Sequence, residues 1–268
     1  MTSLDSFILG AVQGVTEFLP ISSSGHLIIF EEVLNLPVEH LKSFDVTVHV
    51  ATLLAIMIYF WKDIKGLILA LPDFILGRWQ SPYAKLISLI IIATIPAVIV
   101  GAFFGEQIDA VFRDPKSIAI WFIFIGLFFI LGEYIFKISK NKENEVKKWH
   151  QALVIGIAQA FALIPGISRS GSTIVTGLFL GINREKAARF SFLIGVPAIA
   201  GAGLLTALSP SETPEIIQFS QLAVGFLSSF IFSLITVWGL MKFIKKHSFA
   251  WFSIYLFIAA FCILFEIL

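Results

Sequence analysis

Long apolar runs dominate the chain, and polar residues gather between them. Six runs, about 44–61, 85–104, 117–137, 189–208, 219–241 and 249–268, reach the roughly 17–25 residues that a helix needs to cross a bilayer. Residues 64–76 are shorter and hold Pro72 and Asp73, so they read as an interfacial or partly inserted helix. Two further apolar segments, about 4–36 and 150–182, are broken in the middle. The first breaks over Pro20 to His26 and the second over Pro165 to Gly171. Proline removes a helix donor and glycine destabilises the helix interior. Each broken segment is therefore predicted to be two half-helices joined by a turn, with the second half beginning near His26 and near Ser172.

The basic residues set a direction. Lys62, Lys65, Arg78 and Lys85 lie in one polar stretch, and Lys137, Lys140, Lys142, Lys147 and Lys148 in another. Arg184, Lys186 and Arg189, and then Lys242, Lys245 and Lys246, follow two of the later runs. Most of the 19 Lys and Arg residues thus belong to four loops, which the positive-inside rule assigns to the cytoplasm. The alternation closes only if each broken segment enters and leaves on one side, the first from outside and the second from the cytoplasm. The predicted fold is an all-α polytopic membrane protein with an inverted-topology repeat. Each half is a re-entrant helix-loop-helix hairpin followed by three transmembrane helices. The chain reads as one membrane domain, residues 1–137 and 150–268 forming the halves and 138–149 a cytoplasmic linker. A faint echo supports the repeat: Gly10 to Pro20 recurs loosely as Gly156 to Pro165. Inverted repeats with discontinuous helices place a site near the midplane, where the hairpins meet.

Composition agrees with the membrane assignment. Hydrophobic residues make up 57% of the 268 and charged residues 14%, too few charges to cover a soluble domain of this size. A net charge of +1 excludes a general attraction to nucleic acid. The single cysteine, Cys262, excludes a disulfide framework within the chain. No Lys or Arg precedes Lys42, so no cleaved signal is expected.

The two breaks carry the candidate chemistry. Gln13 and Glu17 share a helix face that leads into Ser22, Ser23, Ser24, Gly25 and His26. The second break supplies Ser168, Arg169, Ser170 and Thr173. Charges inside a membrane are costly and functional by default, and Glu17 and Arg169 are placed to compensate each other. Serines and glycines ahead of a half-helix leave backbone N–H groups and a positive helix end available to a phosphate. Arg169 adds planar bidentate recognition. Ser23 or a neighbour offers a nucleophilic hydroxyl, and His26 a base or acid of near-neutral pKa. Glu17 offers a base or a ligand for a divalent cation. These are the parts of a phosphoryl-transfer site. The competing structural readings are a Ser-rich turn that only satisfies backbone groups, and a purely structural Glu17–Arg169 pair. Asp45 and His49 read as capping and packing residues at the start of a span. Glu31 and Glu32 are expected near the outer interface, and Glu133 and Glu266 near span ends, where they can snorkel.

The run Gln13-Gly14-Val15-Thr16-Glu17-Phe18-Leu19-Pro20-Ile21-Ser22-Ser23-Ser24-Gly25-His26 resembles the first motif of the undecaprenyl-diphosphatase, or bacitracin-resistance, family. Pro165-Gly166-Ile167-Ser168-Arg169-Ser170-Gly171-Ser172-Thr173 resembles its second motif. The resemblance implies hydrolysis of undecaprenyl diphosphate to undecaprenyl phosphate and inorganic phosphate, recycling the lipid carrier of peptidoglycan synthesis and conferring bacitracin resistance. It implies Glu17, Ser23, His26 and Arg169 as catalytic residues. It implies a divalent cation, Mg2+ or Ca2+, at Glu17 with Gln13 as a further candidate ligand, a multi-pass location in the bacterial inner membrane with the site toward the outer side, and a homodimer. Gln13, Ser22, Ser24, Gly25, Ser168, Ser170 and Thr173 are the expected substrate-binding residues. One departure stands out: many members carry Glu where this chain has Gln13. The type 2 phosphatidic-acid phosphatases also pair a Ser-Gly-His motif with a Ser-Arg motif, but theirs needs a His after the arginine, and none follows Arg169 in its helix. A carrier or flippase for a polyprenyl phosphate or small anion is the alternative, since broken-helix inverted repeats are also a transporter architecture.

Overall fold

A computed structural model describes residues 1–36, 41–139, 145–208 and 217–267. Residues 140–144 of the expected linker lie outside the described residues. The chain forms helices α1 (Ser3–Thr16), α2 (Ser23–Val33), α3 (Lys42–Tyr59), α4 (Trp61–Leu69), α5 (Leu71–Ile75) and α6 (Pro82–Phe112). It continues with α7 (Pro115–Ile138), α8 (Trp149–Phe161), α9 (Arg169–Phe179), α10 (Arg184–Leu208), α11 (Phe219–Phe243) and α12 (Ala250–Leu264). There is no strand among the described residues, so the expectation of an all-α polytopic membrane protein holds.

Four helices, α6, α7, α10 and α11, are long and apolar enough to cross a membrane on their own. The other two expected spans differ. Helix α3 turns by 83° into α4, and only the pair passes as a fifth span. Helix α12 has 15 residues and falls short of the usual span length. The segment 64–76 is not one helix: it splits between α4 and α5, with Pro72 in the first turn of α5, where its missing N–H costs nothing. Local sequence sets the helix starts. Ser81 and Asp114 cap α6 and α7 directly ahead of Pro82 and Pro115. The half-helices α2 and α9 begin at Ser23 and Arg169, about a turn earlier than expected, because Ser22 and Ser168 are their N-caps.

Residue contacts fix the helix directions. Gly10 meets Gly225 and Gly14 meets Ser229, so α1 runs parallel to α11. Phe44 meets Gly225, and Ser229 donates to the Val48 carbonyl at 2.9 Å, so α3 does too. Helix α8 runs parallel to α6, with Gly156 against Ala93 and the start of α8, at Trp149 and His150, beside Lys85 and Ser88. Helices α7 and α12 are antiparallel: Ser253 donates to the Gly126 carbonyl, and the Phe249 N–H to Glu133. Helix α10 runs against α3, with Phe192 packed on Phe60. The contacts of α1 with α11 and of α8 with α6 thus correspond, the first helix of each hairpin running beside one long helix of the other half of the chain. The side with α4, α5 and the start of α8 also carries the four basic loops.

Two buried carboxylates lock the basic side. Glu133 accepts from Arg184 Nε and Nη2 and from the Phe249 N–H, joining α7, α10 and the start of α12. It is 7% exposed and does not snorkel as expected, because these partners hold it inside. Asp63 of α4 pairs with Arg189 of α10 in the same bidentate fashion. Glu31 is 1% exposed, its carboxylate inside the protein. The turn after α2 folds the chain back over it, the Leu36 N–H bonding to the Glu31 carbonyl at 2.9 Å. Glu32 and Glu266 are exposed, as expected.

Candidate active site

The two hairpin tips meet through side chains from opposite halves. Arg169, first residue of α9, donates through Nη2 to Glu17 Oε1 at 2.6 Å. Ser170 donates to the Leu19 carbonyl at 3.2 Å. Glu17 follows directly on α1, its N–H still bonded to the Gln13 carbonyl, so the helix fixes its carboxylate. The second carboxylate oxygen, Oε2, accepts from Ser23 Oγ at 2.6 Å and from Gln13 Nε2 at 3.1 Å. Glu17 is thus a hub joining a hydroxyl, an amide and a guanidinium. Its charge is compensated inside the protein, which removes most of the penalty on a lone intramembrane carboxylate.

The geometry sorts the expected substrate-binding set. Ser22 is the α2 cap, its Oγ accepting from the Gly25 N–H and lying 3.4 Å from Ser24 Oγ. Its φ is +73°, a conformation that side-chain-bearing residues rarely adopt, so the turn is held by its surroundings. Ser168 caps α9 through the Gly171 N–H at 3.0 Å. Thr173 lies one turn in, bonded to the Arg169 carbonyl and to Ser191 Oγ at 2.6 Å. Ser168, Ser170 and Thr173 are each 1% exposed and engaged with protein groups. They shape the tip rather than line it. Ser23, Ser24 and Arg169 keep partial access. The N–H groups of Ser23 and Ser24, and of Arg169 and Ser170, open their helices and have no intrahelical acceptor.

His26 stands apart from this hub. Its Nδ1 lies 2.7 Å from the Ser22 carbonyl and its Nε2 2.7 Å from the Tyr255 hydroxyl, while Phe122 stacks on the ring. The carbonyl can only accept, so Nδ1 carries the proton and Nε2 accepts from Tyr255. Among the described residues His26 has no hydrogen bond to Glu17, Ser23 or Arg169, so no direct contact carries the expected acid–base role. The expected cap is not formed: α3 starts after Leu41 with no side-chain cap, because Asp45 lies inside the helix, and His49 Nδ1 lies 2.7 Å from the Asp45 carbonyl.

Three supporting residues escaped the sequence reading. Ser191 accepts from Arg169 Nη1 at 3.4 Å through its carbonyl. Gly195, one turn on, leaves room for that guanidinium, since a Cβ there would overlap Nη1. Tyr255 orients His26. A serine, a glycine and a tyrosine inside apolar helices are commonplace, and only their polar or small character in a span hints at a role.

The donor set bears on a divalent cation. No group of three or more His, Cys, Asp or Glu converges among the described residues. Gln13 is fully buried, and its Oε1 is without a hydrogen-bond partner beside Glu17. One carboxylate and one free amide oxygen suit a hard cation that completes its shell with ligand oxygens.

Comparison with known proteins shows the family. A family model described as "Bacitracin resistance protein BacA" matches residues 6–262. Undecaprenyl-diphosphatase of Caldicellulosiruptor bescii is 41% identical over 266 residues, covering 98% of this chain and 97% of the relative. The protein of the same name from Methanosphaera stadtmanae is 40% identical, covering 94% of this chain and 93% of its own. That of Aliivibrio salmonicida is 42% identical, covering 95% and 94%.

Proposed function

Because the chain belongs to the bacitracin resistance protein BacA family, we propose that it hydrolyses undecaprenyl diphosphate to undecaprenyl phosphate and inorganic phosphate. It is a multi-pass membrane protein, and the lipid diphosphate reaches it from the bilayer. The observation that carries the chemistry is the 2.6 Å bond from Ser23 Oγ to Glu17 Oε2, a nucleophile already paired with a base. A pure carrier needs phosphate donors but no such pair.

In the proposed mechanism Glu17 takes the Ser23 proton as Oγ attacks the terminal phosphorus. The bond to the bridging oxygen breaks, undecaprenyl phosphate leaves, and water then hydrolyses the phosphoserine. Arg169 moves from Glu17 toward the transferring phosphoryl group and neutralises its charge, while Ser191 and Gly195 keep the guanidinium in reach. The free N–H groups at the starts of α2 and α9 hold phosphate oxygens. Ser22 and Gly25 shape the α2 end, Ser24 adds a hydroxyl, and Ser168, Ser170 and Thr173 hold the α9 end. His26 fixes the Ser22 carbonyl, and through it the turn carrying Ser23. Glu17 and the Gln13 carbonyl oxygen would hold Mg2+ or Ca2+, which supplies charge neutralisation on the diphosphate when bound.

The proposal includes two half-repeats, 1–137 and 150–268, within a single membrane domain. It includes residence in the bacterial inner membrane with the tips served from the outer side, supported by the basic loops on the opposite side. A homodimer is included on the resemblance alone. The test is phosphate release from undecaprenyl diphosphate by purified protein in detergent, measured beside substrate affinity for Ser23→Ala. Release by the wild type with near-normal binding but at least about a hundredfold slower turnover in Ser23→Ala is expected. Binding without release by the wild type would leave a carrier; normal turnover in Ser23→Ala would move the attack to water.

A further inference from the structure

A cavity of about 390 Å³ lies between α6 and the start of α8, on the basic side and away from the hairpin tips. Its walls divide by chemistry. Lys85, Lys147 and Lys148 supply positive charge, whereas Leu89, Ile92 and Trp149 supply apolar surface. Lys85, Ser88, Leu89 and Ile92 follow helical spacing, so one face of α6 presents a cation, a hydroxyl and then hydrocarbon in order of depth. The opposite wall is the entry to α8. There Gln151 Oε1 accepts from the N–H groups of both Lys147 and Lys148 at 3.0 Å, holding the two lysines on one tight turn. Glu145 lies 3.6 Å from Lys147, an exposed pair that a stronger anion can displace. Trp149 is 63% exposed at the mouth, as interfacial tryptophans are.

The fold does not demand this arrangement. The mirror-related contact, α1 against α11, opens on the other side without it. There Thr2 and Asp5 form a capping box, Gln221 donates to the Met1 carbonyl, and no Lys or Arg occurs in residues 1–6 or 217–222. One half closes the position without Lys or Arg; the other leaves a cavity with three lysines backed by hydrocarbon.

We propose that this cavity binds the phosphate headgroup of an anionic phospholipid in the leaflet on the basic side, with its acyl chains along Leu89 and Ile92. Phosphate is the shared chemistry of a lipid headgroup and the free ion, and the apolar wall selects the lipid.

The test is native mass spectrometry of the purified full chain in detergent, with phosphatidylglycerol or phosphatidylcholine of identical acyl chains added at equal concentration. Phosphatidylglycerol should be retained about tenfold more than phosphatidylcholine, in line with a few basic contacts near a membrane surface. Lys85→Gln/Lys147→Gln/Lys148→Gln should abolish that preference, while Lys62→Gln/Lys65→Gln/Arg78→Gln on the same side should keep it. Ile92→Trp, which fills the apolar wall and leaves every charge, should also lower retention. Circular dichroism confirms that each variant is folded, and Ile92→Trp decides alone if the triple variant is not. Equal loss in both triple variants would mean diffuse attraction and overturn the site. Unchanged retention in Ile92→Trp, or displacement of the lipid by millimolar inorganic phosphate, would overturn a lipid site.

Discussion

Glu17 holds three partners at once, and substitutions around it should separate their roles. Glu17→Gln keeps the shape but loses the base and the charge facing Arg169; turnover should fall by about a hundredfold or more, measured as phosphate release. Near-normal turnover would exclude Glu17 as base. Arg169→Lys keeps the charge but loses the planar fork that reaches Glu17 and the Ser191 carbonyl together, so it should also be severely impaired. Gly195→Ala tests the site from outside it. The added methyl meets only the end of a flexible arginine, so the variant should melt near the wild-type temperature yet turn over more slowly. A variant that both folds and works normally would show that Arg169 has another productive position. At this scale the sequence was legible where chemistry is local. Gln13, Glu17, Ser23 and Arg169 sit in motifs, and they converge. Ser191, Gly195 and Tyr255 were not legible, because each gains its meaning from a residue at least 22 positions away.

Element ends carry the next level of organisation. Ser22 and Ser168, expected as substrate ligands, are N-caps that start α2 and α9. Ser168→Ala removes a cap, and should cost about 1 kcal/mol in unfolding measurements while leaving the Glu17–Arg169 pair in place. No change in stability would sink the capping role. On the basic side Glu133 binds α7, α10 and α12 with one carboxylate. Glu133→Ala leaves Arg184 and the Phe249 N–H without their acceptor. It should cost about 2–3 kcal/mol, at the low end for a broken buried pair because Arg184 is partly exposed. A shift below about 0.5 kcal/mol, the size of an ordinary surface substitution, would show that the clamp is replaceable. Hydrophobic periodicity announced these helices but not their clamps. Glu133 near a span end reads as a residue that reaches for water until Arg184, 51 positions later, is brought against it.

For the whole molecule, the proposed sidedness is open to labelling with impermeant thiol reagents in a Cys262→Ala background. Arg78→Cys should label only from the cytoplasm and Lys116→Cys only from outside; the reverse pattern would invert the topology. The sequence by itself determined the membrane class, the two breaks and the residue types within them. Those follow from the cost of placing polar groups in hydrocarbon, which acts on each segment independently. It also pointed to the opposed hairpins, because basic residues partition loop by loop. Only the tertiary structure decided which hydroxyl faces Glu17, which serines cap helices, where α3 bends and which carboxylates are buried. Apart from the caps, which are bonds across three residues, these depend on which helix faces which: α1 on α11, α7 on α12, α10 on α3. Helix partners in a membrane are chosen by close packing at small residues such as Gly10, Gly14 and Gly225 and by a few polar bonds, a signal spread across both partners and invisible in either alone.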